Sequence, residues 1–125
     1  MLENKEPIAT VAVRELAKAK PFYRDILGLK LADENSEVLT FAAGQFRLFV
    51  YRSEFAGTNQ ATAVTWAVGG DEVAPIVREL GRRGVEFERY DIPNARFEDG
   101  MYVFGAFRVA WFKDPDGNIL SINGM

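Results

Sequence analysis

The order strand, helix, strand, strand, strand is written twice along this chain, and that repetition limits its fold more than any single residue does. Residues 8–13 form an apolar run rich in β-branched side chains, the pattern of a strand. After Arg14 and Glu15, the residues Leu16, Ala19, Phe22, Tyr23, Ile26 and Leu27 recur at three- and four-residue steps. They mark one buried helical face, closed by Gly28 at the C-terminal cap. Pro21 lies inside that stretch, where it either begins the helix proper or kinks it, because it lacks an amide hydrogen. Strands follow at residues 30–32, 38–42 and 46–52, separated by polar or glycine breaks.

Residues 53–60, with Gly57, Thr58 and Asn59, read as a linker. The order then begins again. Residues 61–68 form a strand, and Asp71 starts a helix that carries Val73, Ile76, Val77 and Leu80 and is ended by Gly81 and Gly84. Residues 85–90 give the next strand, 91–100 a looser stretch, and 102–104, 107–112 and 119–122 the last three strands. Each copy is a sheet with a helix on one face, which leaves the other face in need of cover. The fold class is α+β, with two βαβββ modules, about residues 7–55 and 61–125, in a single domain spanning 1–125. A ferredoxin-like sandwich is the alternative, but at least three strands after each helix suit paired modules better.

The chain is of ordinary single-domain length, 125 residues, and 48% hydrophobic with 26% charged residues, a globular balance. Its net charge of −3, from 15 Lys plus Arg against 18 Asp plus Glu, argues against a nucleic-acid surface. The basic run at 78–83 falls at a helix end, where cations favour the exposed carbonyls. No apolar run is long enough to cross a bilayer, and residues 1–7 are polar and charged, unlike a secretory leader, so the expected compartment is the cytoplasm. The sequence contains neither cysteine nor histidine. Disulfides, thiolate chemistry and imidazole bases are therefore excluded, and Ser36, Ser53 and Ser121 have no histidine to activate them.

Two motifs carry a resemblance. Pro21-Phe22-Tyr23-Arg24-Asp25-Ile26-Leu27-Gly28-Leu29 and the late Asp114-Pro115-Asp116-Gly117-Asn118 resemble those of the vicinal oxygen chelate superfamily, which includes glyoxalases, extradiol dioxygenases and bleomycin-resistance proteins. The resemblance covers residues 8–122. It implies that the two modules form an incomplete barrel with a chamber between them, and that the protein is a homodimer. By themselves the motif residues read structurally: proline and aspartate set a turn, and Gly117 supplies the positive φ that such a hairpin needs.

Most catalytic members of the family hold a divalent metal with histidine and glutamate. The corresponding positions here are Ile8, Leu48, Ala63 and Ser121, with Leu48 aligned only to within a residue or two. Transition metals select imidazole, thiolate and converging carboxylates, so this set implies no metal and no cofactor. Glu54, Asp114 and Asp116 are the remaining oxygen donors for a hard cation, all on predicted loops. Glu86 and Glu88 alternate with Val85 and Phe87 and belong to a solvated strand face.

What remains is a chamber lined by aromatic, aliphatic and hydroxyl groups. The candidate ligand-binding residues are Thr10, Leu48, Ala63, Thr65, Tyr102, Trp111 and Ser121. The resemblance implies a bleomycin-resistance-like protein that captures a small planar or cationic molecule without transforming it, with no nucleic-acid or membrane partner. The alternatives are an enzyme that is metal-independent or uses a hard cation, and an interaction domain whose cavity has filled with side chains.

Overall fold

In the computed structural model, which describes residues 1–125, the chain divides into two units, Met1–Ala56 and Gly57–Met125. Both are α+β, each with one sheet and one helical layer.

The first unit runs β1 (Ala9–Val13), α1 (Leu16–Pro21), a π-helical turn (Phe22–Ile26), β2 (Lys30–Glu34), β3 (Val38–Ala43) and β4 (Phe46–Arg52). The sheet order is β1-β4-β3-β2, with β1 parallel to β4 and the other pairs antiparallel. Pro21 does not begin the helix but is the last residue of α1. It marks a change of register: past it, the Leu27 amide donates to the Phe22 carbonyl at 2.9 Å, five residues back. The Leu29 amide then donates to Tyr23 at 3.0 Å while Gly28 takes φ 74°, which closes the helix. Ala19, Phe22 and Tyr23 pack on the sheet face formed by Val11, Val13, Leu39, Phe41, Leu48 and Val50, all buried. The Tyr23 and Phe41 rings lie 5.8 Å apart within that layer.

The second unit runs β5 (Thr62–Val68), α2 (Gly70–Arg82), β6 (Arg96–Glu98), β7 (Met101–Phe104), β8 (Phe107–Lys113) and β9 (Ile119–Gly124), in sheet order β5-β9-β8-β7-β6. The expected strand at 85–90 is reduced to one bridge, Phe87 to Phe112, supported by the Glu88 amide donating to the Trp111 carbonyl at 2.7 Å. The reason is local. β7 pairs with β8 only between Tyr102–Phe104 and Phe107–Val109, so the edge at Trp111 and Phe112 is free for a brief contact. The Tyr102 hydroxyl then takes hold of the Tyr90 backbone, accepting from its N–H and donating to its C=O, which draws the chain away from the edge. The looser stretch at 91–100 contains β6, joined to β7 by a tight turn with Asp99 at φ 53° and Gly100 at φ 86°.

Val73, Val77 and Leu80 of α2 are buried, and the helix contacts β8 and β9. Its start is capped by the Glu72 carboxylate, which accepts from the Gly69 amide at 2.9 Å. Gly124 is needed for close approach: a Cβ there would lie 2.2 Å from the Val68 carbonyl oxygen. The Asp114 turn is held from within. Its buried carboxylate accepts from the Asp116 amide at 2.9 Å and from the Asn118 amide and side-chain Nδ2, each at 2.8 Å. This is a structural use of the motif, as the sequence reading expects. No helix is long and apolar enough to cross a membrane.

Candidate functional site

Side chains paired across neighbouring strands share a face, and alternate residues take opposite faces. The register of the second sheet therefore sorts the candidates. Thr65 pairs with Ser121, and Ser121 with Trp111. Two residues along β8, Val109 pairs with Tyr102, and Tyr102 pairs with Phe97 of β6. Thr65, Ser121, Trp111, Tyr102 and Phe97 thus all lie on the face turned away from α2, while Leu120, Ile122, Ala110 and Phe112 take the helix-covered face.

On this face the hydroxyls of Thr65 and Ser121 stand 2.8 Å apart. Ser121 is only 2% exposed, whereas Thr65 is open to solvent. Whichever hydroxyl donates to the other, one O–H is left over for a further acceptor. Beside them, the Trp111 indole N–H donates to the Thr62 hydroxyl at 3.1 Å, which fixes the ring's orientation. Thr62 reaches that position through a register irregularity between Thr62 and Val64, and Ala63 sits within this bulge, exposed and without a ladder partner.

The aromatic groups form a connected wall. Trp111 meets Tyr102 edge-on with centroids 5.7 Å apart and Tyr90 at 5.5 Å, and Tyr102 meets Phe97 at 4.8 Å. Such pairs each contribute about 0.5–1.5 kcal/mol beyond buried area, so the wall is a rigid surface. Burial, followed by the charge of Glu88, pushes the Tyr90 hydroxyl above its ordinary pKa and keeps it a neutral phenol. Next to this wall lies a cavity of about 350 Å³ lined by Arg89, Tyr90, Asp91, Ile92, Phe97 and Tyr102 among others.

In the first sheet, Thr10 pairs with Phe49, and Phe49 with Thr40. Thr10 is exposed, its hydroxyl donating to the Ile8 carbonyl at 3.0 Å, and it shares the face away from α1 with Ala12, Phe49 and Tyr51. Leu48 does not join them. It pairs with Ala9 and Phe41 and is 3% exposed, on the face that α1 covers. The expectation that put Leu48 beside Thr10 is corrected by one residue of register, and Phe49 takes that place, because a single-residue step reverses the side of a strand.

Thus Thr65, Tyr102, Trp111 and Ser121 come together, Ala63 sits at the margin in a bulge, Thr10 belongs to the corresponding face of the other unit, and Leu48 is core. Sequence reasoning missed Thr62, Arg89, Tyr90 and Phe97 as parts of the same surface. Nothing in their spacing marks them, since Tyr90 and Tyr102 are joined only by the path of the chain. The metal-ligand positions read from the resemblance provide no donor set: Ile8 is an exposed aliphatic chain, Leu48 is core, Ala63 is a methyl group, and Ser121 is engaged with Thr65. No three carboxylates converge anywhere in the fold. Of the oxygen donors considered for a hard cation, Asp114 is committed to its own turn, and Glu54 lines a hollow with Arg14, Arg52, Ser53 and Phe55.

The family model described as "Glyoxalase/Bleomycin resistance protein/Dioxygenase superfamily" matches residues 7–122. No curated protein matches the chain. Among solved structures, the genomically encoded fosfomycin resistance protein FosX from Listeria monocytogenes superposes with a TM-score of 0.74 at 16% identity, covering 98% of this chain and 93% of that one. An integron cassette protein from the mobile metagenome of the Halifax Harbour sewage outfall gives 0.72 at 17%, covering 98% and 99%. A lactoylglutathione lyase from Agrobacterium tumefaciens gives 0.71 at 16%, covering 97% and 93%. At these identities the likeness is one of fold.

Proposed function

The chain belongs to the glyoxalase/bleomycin resistance protein/dioxygenase superfamily, and from that premise we propose that it binds a small planar or cationic molecule without a transition metal and without transforming it. The observation that carries this reading is the Trp111 wall itself. An indole locked by Thr62, flanked by Tyr102 and Tyr90 and bordered by the Thr65 and Ser121 hydroxyls, provides stacking area beside a spare hydrogen-bond donor. Small-molecule sites have this make-up: apolar and aromatic walls with few, fixed polar groups. Aromatic faces also attract cations.

FosX has been crystallised with Mn(II) and sulfate. This chain has no imidazole to offer such an ion, and no three of its carboxylates converge. Recognition here rests on shape, stacking and hydrogen bonding. A homodimer, a cytoplasmic location and the lack of a nucleic-acid partner are parts of the same proposal.

The test is a thermal-shift and tryptophan-fluorescence screen of planar aromatic and cationic compounds, glycopeptide antibiotics included, with elemental analysis of the purified protein. Expected are stabilisation that grows with ligand concentration by mass action and a fluorescence change that is lost in Trp111→Phe. Silence across the screen, or a stoichiometric transition metal that survives dialysis, would overturn the reading. Assays of lyase and dioxygenase activity before and after chelation separate capture from catalysis.

A further inference from the structure

The stretch that leaves the edge of β8 and crosses toward Tyr102 carries three charged residues, Glu88, Arg89 and Asp91, whose environments differ. Glu88 is neutralised by Lys113, with Nζ and Oε1 3.2 Å apart. Arg89 and Asp91 are in no ion pair. The Arg89 guanidinium instead lies over the Phe97 ring, its Cζ 4.7 Å from the centroid. Stacking holds the plane of the guanidinium and leaves its N–H groups available at the rim, the arrangement suited to a planar carboxylate. Arg89 and Asp91 both line the cavity of about 350 Å³, whose remaining surface includes Tyr90, Ile92, Phe97 and Tyr102.

One cavity therefore holds a cation and an anion, neither neutralised by the protein, against an apolar aromatic floor. A ligand with a single charge would satisfy one of them and be repelled by the other. We infer that this cavity takes an aromatic zwitterion, an α-amino carboxylate whose carboxylate meets Arg89, whose ammonium meets Asp91, and whose ring packs against Tyr90 and Ile92. The floor is positioned by Tyr102, whose hydroxyl grips both the amide and the carbonyl of Tyr90. The inference rests on the reading that the adjoining wall is a small-molecule site, and it names the class of molecule.

The experiment uses three probes with the same ring: L-phenylalanine, 3-phenylpropionate and 2-phenylethylamine. Binding to the full chain is followed by the amide shifts of residues 89–97 in 1H–15N spectra. L-phenylalanine is expected to bind about tenfold more tightly than either singly charged probe, the scale of one charged hydrogen bond at a solvated site. Arg89→Gln should bring it down to the level of 2-phenylethylamine, and Asp91→Asn to that of 3-phenylpropionate. Equal affinity for all three probes, or an order unchanged by both substitutions, would refute the inference. If the three probes fail while planar compounds still perturb Trp111 fluorescence, the zwitterion assignment falls alone. If nothing perturbs Trp111 either, both readings fall.

Discussion

The hydroxyls of Thr65 and Ser121 face each other at 2.8 Å across the parallel pairing of β5 and β9. Ser121 is buried, and its hydroxyl has a neighbouring side chain as partner. A buried hydroxyl with one partner is stable without an ion. Ser121→Ala should cost about 1 kcal/mol, the net value of such a bond, and Thr65→Val a similar amount. Urea denaturation of both singles and the double checks this, with the double costing less than the two singles together because they share one interaction.

Trp111→Phe keeps a ring on the wall but removes the N–H that donates to Thr62. Planar ligands should bind roughly tenfold more weakly, in line with the loss of indole area and of its fixed orientation. Titration by calorimetry measures the change, since the variant lacks the reporting indole and keeps only Trp66.

Tyr102→Phe preserves the contacts with Phe97 and Trp111 and deletes only the hydroxyl that holds Tyr90. The segment following Glu88 should then open more often. Hydrogen exchange at the Tyr90 amide should quicken at least about tenfold while that of β8 and β9 amides stays near the wild-type rate. Uniform acceleration across the sheet would contradict the local role.

Asp114→Ala strips three donors of their acceptor at a residue only 5% exposed. A loss of about 3 kcal/mol is expected from hydrogen bonds to a buried charged group. Asp114→Asn should be milder, since its amide oxygen can still accept. Thermal unfolding of the two variants gives the order.

Gly124→Ala introduces a methyl group 2.2 Å from the Val68 carbonyl oxygen, where only backbone could yield. The parallel pair of β5 and β9 would have to separate, at a cost of at least about 2 kcal/mol. A midpoint within experimental error of the wild type would show that this crossing is looser than the structure has it.

Local patterns were sufficient for most of the element order, because strand alternation, helical periodicity and glycine or proline stops act within a few residues. They also made visible the purpose of the Asp114 turn, whose donors all lie within four residues of its acceptor. The strand expected at 85–90 failed for a non-local reason: its fate was decided by a free edge on β8 and by the grip of Tyr102. Leu48 failed for want of register, which alignment by length cannot give to within one residue.

What the amino-acid sequence determined alone is chemical: without histidine or cysteine, no arrangement of this chain can build an imidazole or thiolate metal site. What tertiary structure alone decided is which polar and aromatic groups meet. The bulge at Ala63 brings Thr62 to Trp111, strand pairing brings Thr65 to Ser121, and a hydroxyl bond carries Tyr90 to the wall. Composition limits the available chemistry everywhere along the chain, whereas contact between residues distant in sequence depends on pairing register, and that is set only when whole strands bury their faces together.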